Sequence, residues 1–173
     1  MYHISGIFNE YAVETVWGME FILQLLTHEE FGTLQTWIRK EKGWSYGLEP
    51  DLEYEKDRMV WGIKIQVNSV EVVQEIRNEI HNRIESACTN SELISSTKNR
   101  LLLQSSFDYE TITSRLDKVV NSLYTTGYLS TEQDYKNWLS NTVNESYIAH
   151  LYSRYFTKDV IGEFVAVPKK FKI

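Results

Sequence analysis

The chain has 173 residues, a net charge of −6, and 42% hydrophobic and 13% aromatic residues. This composition excludes a disordered protein, and a domain of this size buries roughly 70% of its unfolded surface, so no disulfide or metal is required to hold it. The acidic balance excludes a nucleic-acid partner, because binding phosphates depends on clustered Lys and Arg that release counterions.

The single cysteine, Cys88, excludes an intramolecular disulfide, and its place late in a helical segment reads as a buried, inert thiol. The N-terminus lacks the basic region, apolar run and small-residue site of a signal peptide. The most apolar run, residues 13–26, is broken by Glu14, Glu20 and Gln24 and falls short of the roughly 20 residues of a membrane span. A soluble protein, cytoplasmic rather than secreted, is the expectation.

Residues 3–8 alternate as a half-buried strand inside a sheet. Val13, Val16, Trp17, Phe21 and Leu25 then recur at helical spacing over residues 10–26. Thr27-His28-Glu29-Glu30 fits a capping box, in which hydroxyl and carboxylate satisfy each other's free backbone donors, and predicts a second helix with Phe31, Leu34, Trp37 and Ile38 on one face. Gly43 ends it, as glycine often does at a helix C-terminus.

The period changes to two over residues 44–54 and 58–67, with a Glu-Lys-Asp turn between, which predicts a hairpin whose Met59, Trp61, Ile63, Ile65 and Val67 share a face. Asn68 or Ser69 caps a helix carrying Val72, Val73, Ile76, Ile80 and Ile84 and ending near Cys88. Thr89-Asn90-Ser91-Glu92 caps another to about residue 105, and residues 107–124 form a third with Ile112, Leu116, Val119, Val120 and Leu123 inward, broken at Gly127. Ser130-Thr131-Glu132-Gln133 and Thr142-Val143-Asn144-Glu145 open two more. Residues 160–167 predict a closing strand buried on both faces, with a frayed tail after Pro168. The order implies an α+β domain over residues 1–173, a mostly antiparallel sheet covered by helices.

Residues 37–47 carry the candidate chemistry. A helix stop at Gly43 reverses the chain between Arg39 and Tyr46, so a guanidinium and a phenol on a following strand can meet and polarise a carbonyl. The same residues have a purely structural use, since an Arg near a helix end stabilises the dipole's negative pole and a strand Tyr is common filling. An exposed hairpin edge can also accept an extended peptide by main-chain pairing, with Trp44 and Trp61 either lining that chamber or filling the core.

Residues 31–47, FGTLQTWIRKEKGWSYG, resemble the segment that insulinase-type (pitrilysin-like, mitochondrial-processing-peptidase-like) zinc peptidases write roughly as sRLfqeLRekrGLaYsv, with Arg39, Lys42, Gly43 and Tyr46 on matching positions. Thr89 to Leu93, Lys98-Asn99 with Leu101, Thr142 to Glu145 with Tyr155, and the closing run extend the resemblance over most of the chain. It implies one of a set of duplicated α+β domains that close around an unfolded peptide, with zinc held in one half by an inverted HxxEH motif. By resemblance, Arg39 and Tyr46 are the substrate-binding pair of the opposite half.

The chain departs from that family in having no HxxEH. His3, His28, His81 and His150 are scattered, and His81 with Glu85 on one helical face lacks a third ligand. The resemblance therefore implies the C-terminal, non-zinc portion of a longer peptidase, or a separate subunit, inactive alone and without a cofactor of its own. Zinc is expected in a partner domain or subunit, the substrate is a peptide, and assembly is as a homo- or heterodimer. Two alternatives stand beside this: a catalytically inactive structural or peptide-binding subunit of the same family, and an unrelated α+β module in which Arg39 and Tyr46 never meet.

Overall fold

Alternation in the first residues produces β1 (Tyr2–Phe8), with Tyr2, Ile4 and Phe8 buried and Ile7 exposed. The computed structural model describes residues 1–9, 12–55, 58–67 and 69–166. β2 (Leu48–Glu55) and β3 (Arg58–Ile65) are the predicted hairpin, starting four residues later than the periodicity indicates, and β4 (Gly162–Val165) closes the chain. The order is β2-β3-β1-β4 with every pair antiparallel; Ile4 lies opposite Ile63 and Gly6 opposite Trp61. Lys56, Asp57 and Asn68 lie outside the described residues, as do Val167, Pro168 and the tail beyond them. The closing strand differs from expectation: β4 pairs on one side only, and Gly162 and Phe164 are exposed. Gly162 and Phe164 stand opposite Ser5 and His3, on the sheet face turned away from the buried core, so only the other face of the strand is covered.

Seven α-helices lie among the described residues, most of them packed on the sheet's apolar side. α1 (Val13–Thr27) buries ten of its residues on nearly all sides, which places it at the centre of the core rather than on a surface. Gly18 allows this, because a Cβ there would run into Leu151 and Tyr147. Thr27 ends α1 instead of opening the next helix: its hydroxyl donates to Leu23 O at 2.7 Å, and the Glu30 N–H goes to His28 Nδ1 at 3.2 Å. The second helix begins six residues later as α2 (Thr33–Gln35) and widens into a π-helical turn, Thr36–Glu41.

α3 (Val70–Cys88) is capped by Ser69 and buries Val73, Ile76, Ile80 and Ile84. Cys88 is fully buried, and loss of water pushes its thiol up to about 12, so it is inert. α4 (Ser91–Asp108), α6 (Glu132–Asn141) and α7 (Glu145–Tyr155) are capped by Asn90, Thr131 and Asn144, one or two residues later than the box patterns indicate. The side chains that reach the free N–H groups there are two Asn and a Thr paired with Asp134.

The largest departure is α5 (Ile112–Thr126). None of its residues is buried; Ile112 is 84% and Leu116 59% exposed, whereas Asp117, Asn121 and Thr125 face the body of the protein across a cavity. Hydrophobic periodicity establishes that a helix has an apolar face but not the direction in which that face points.

One polar cluster ties β4 to α3. Arg77 Nε donates to Glu163 Oε2 at 2.6 Å, and His81 Nε2 lies 3.0 Å from Glu163 Oε1, so His81 pairs with the closing strand and not with Glu85. Burial alone would raise the Glu163 carboxyl, but the hydrogen bonds from His81 and Arg77 and their charges outweigh it and hold it below its ordinary value. The stabilisation is therefore present above the ordinary carboxylate range and is lost as pH falls through the lower folded value. Glu163→Gln is expected to cost about 1 kcal/mol at neutral pH, given the half-exposed Arg77, with the gap to wild type closing toward about pH 3 in urea unfolding.

Gly6 gives a second test. A Cβ at Gly6 would meet the indole of Trp61, which is fully buried and stacked on Phe156 at 4.2 Å and so has nowhere to retreat. Gly6→Ala is expected to lower the unfolding free energy by about 1–3 kcal/mol, measured by urea titration.

Candidate functional site

The backbone around the candidate pair is held from several directions. In the π-helical turn the Lys42 N–H reaches Trp37 O at 3.1 Å, and the Trp44 N–H reaches Ile38 O at 2.9 Å. Such widened turns concentrate at functional positions. Gly43 follows in the left-handed region at φ 65°, a conformation that favours glycine. Trp44 then packs edge-on against the buried Trp37, with ring centres 5.6 Å apart.

Beyond Trp44 the chain bends rather than entering a strand. Ser45 Oγ donates to Gly47 O at 2.8 Å and accepts the Gly47 N–H at 3.3 Å, which closes a tight turn around Tyr46. The start of β2 is fixed by Gln35, whose buried side-chain Oε1 accepts the Leu48 N–H at 3.1 Å. Gln35 lies one helical turn before Arg39, and its role was not legible in the sequence, where a glutamine in a helix reads as surface.

The side chains on this scaffold divide into two groups. Lys40 Nζ donates to Glu30 O at 2.7 Å, Lys42 sits over the Trp44 ring at 5.1 Å, and Arg83 of α3 covers Trp37 at 4.2 Å. Those cations are committed to the protein. Arg39 and Tyr46 are exposed, Tyr46 by 92%, and neither has a hydrogen-bond, ion-pair or ring partner among the described residues. No bond joins the two, and Tyr46 sits on a bend ahead of β2, not on the strand. The expected chamber tryptophans fall on the core side: Trp61 is fully buried, and Trp44 is half-buried against Trp37.

The histidines do not converge. His28 stacks on Phe31 at 3.8 Å, His81 pairs with Glu163, and His3 stands on the uncovered sheet face over Gly62. Among the described residues, no group of three or more His, Cys, Asp or Glu side chains is placed to hold a metal, so this donor set does not fit a zinc ion. No helix is long and apolar enough to cross a membrane. What the site offers is a guanidinium fork and a phenol O–H, both free and both mounted on a pinned backbone.

Removing the pin should be measurable. Gln35→Ala leaves the buried Leu48 N–H without its acceptor, and an expected loss of about 1–3 kcal/mol in urea unfolding, with faster amide exchange at residues 44–48, checks it.

Residues 2–101 match the family model described as the peptidase M16 inactive domain. No curated protein matches the sequence. Among solved structures, the fold is similar to a protease from Helicobacter pylori, at TM-score 0.76 and 11% identity, over 94% of this chain and 39% of that one. A peptidase M16 inactive domain from Pseudomonas fluorescens aligns at TM-score 0.71 and 12% identity over 94% and 40%. A chain of complex III2 from Candida albicans aligns at TM-score 0.72 and 7% identity over 94% and 41%. The chain thus spans about two fifths of the length of these relatives.

Proposed function

The chain belongs to the peptidase M16 family as one of its inactive domains, and on that premise we propose that it grips an extended peptide for cleavage at a zinc site carried by another domain or subunit. The observation that supports this reading is the pair Arg39 and Tyr46, exposed and unpartnered on a loop whose other cations and backbone are committed. Side chains that the fold holds in place but does not itself use are available to a ligand. The chain spans 39% of the Helicobacter pylori relative, so the zinc-bearing part would lie in the remaining length of a longer chain or in a separate subunit.

Each residue has a defined task in this reading. The Tyr46 phenol donates a hydrogen bond to a peptide carbonyl oxygen, where charge builds in the tetrahedral state and a prepositioned donor is worth about 3 kcal/mol. Arg39 gives two parallel hydrogen bonds to a backbone carbonyl or a terminal carboxylate, a geometry that lysine cannot reproduce. The zinc would polarise the carbonyl and activate water from the other side.

The test is reconstitution. Adding this chain to a zinc-bearing partner half is expected to restore cleavage of a fluorogenic peptide, and a chelator should abolish it. Arg39→Ala and Tyr46→Phe are each expected to lower kcat/KM about 10- to 100-fold while leaving thermal unfolding unchanged. Unchanged cleavage by both variants would remove them from the site.

A second reading, a structural subunit with no peptide to hold, is favoured by the same fold in a chain of complex III2. It predicts stable association with a partner and no effect of Arg39 or Tyr46 on any peptide.

A further inference from the structure

A cavity of about 770 Å³ lies between α1, α5 and α6, away from Arg39 and Tyr46. Its polarity is inverted for a protein interior. α5 turns Asp117, Asn121 and Thr125 toward it and presents Ile112, Leu116 and Leu123 to solvent, the reverse of an ordinary surface helix. The space is therefore a pocket built with polar walls and not a gap left by poor packing.

Its charges do not balance. Lys118 is paired with Asp108 at 3.9 Å, which leaves the carboxylates of Glu20 and Asp117 with no hydrogen bond or ion pair among the described residues. Glu20 lines the cavity from α1 and is exposed there, with protein on its sides, which raises its carboxyl against the weaker pull of Lys118. Trp17 precedes it by one turn of α1, and Tyr135 of α6 meets Trp17 edge-on with ring centres 5.3 Å apart.

Carboxylates without a cation beside them attract positive charge, and so do the aromatic faces next to them. A metal does not suit the place, because no group of three or more potential metal-binding side chains is assembled among the described residues. We propose that this cavity binds a basic group on an apolar stem, a guanidinium or an ammonium, with Glu20 as counter-ion and Trp17 and Tyr135 as aromatic walls. Val13 and Val16, which also line it, receive the stem. The site acts independently of Arg39 and Tyr46.

The experiment is a titration of the 173-residue chain, labelled for amide and indole resonances, with N-acetyl-arginine amide and with its neutral isostere N-acetyl-citrulline amide. The arginine amide is expected to shift the Trp17 indole N–H and the amides of α1 and α5, and the citrulline compound to leave them in place. Glu20→Gln is expected to weaken binding at least about tenfold, with an unfolding temperature no lower than wild type. Asn121→Trp, which fills the cavity from α5, is expected to abolish binding, and Arg39→Ala to leave it unchanged. Tighter binding of an Ala-Ala-Arg-Ala-Ala peptide than of spermidine assigns the site to peptide side chains, and the reverse assigns it to free amines. No binding of any cation, equal response to arginine and citrulline, shifts confined to other surfaces, or wild-type affinity in both cavity variants would overturn the proposal.

Discussion

Burial of α1 on nearly all its sides is the condition on which the rest of the structure depends. A helix that buries two thirds of its residues cannot rest on a surface by one stripe, so the sheet must lie under it and other helices must close over it. The antiparallel sheet supplies the floor through the buried sets of β1 and β3. Gly18 admits Leu151 and Tyr147 from α7 at close range, and the Tyr147 hydroxyl donates to Glu14 O at 2.8 Å. The other face of the sheet carries His3, Ser5, Ile7 and Lys64, partly or fully exposed among the described residues, as an antiparallel sheet permits.

The candidate site inherits its rigidity from that core. Trp37 and Ile38 are anchored in the buried cluster, Trp44 is anchored on Trp37, and Gln35 joins the helix to the first residue of β2. The backbone from residue 35 to residue 48 is thus fixed at both ends and in the middle, while Arg39 and Tyr46 are left to solvent. Two donors are presented on a backbone that is held independently of them, and preorganised donors need a rigid support more than they need partners. Function on such a fold resides in the few side chains the fold does not consume.

α5 follows a different logic. It contributes no residue to the buried core; Lys118 pairs with Asp108 of α4, Tyr124 meets Tyr54 of β2 edge-on, and Ser122 Oγ donates to Tyr128 O and accepts from the Ser130 hydroxyl. Its polar face lines the cavity that Glu20 also lines. Its apolar residues, with Leu103 and Phe107 of α4, make up most of the exposed large hydrophobic side chains on this side of the molecule. Polar groups are stable facing a hydrated space, which is why the helix tolerates this orientation.

The sequence by itself determined the element order, the hairpin, the antiparallel sheet with β1 inside it, and the family. These follow from local signals: alternation in β1 and β3, cap residues within two positions of the starts of α3, α4, α6 and α7, and the run from Arg39 to Tyr46. Tertiary structure alone decided which way faces point and which polar groups pair. Leu116, Val120 and Leu123 share a stripe in the sequence, but only packing could set that stripe toward solvent. Likewise, Glu163 meets Arg77 and His81 across more than 80 residues, and Gln35 reaches Leu48 across a turn, because contacts set by chain reversal carry no periodicity for a local pattern to report.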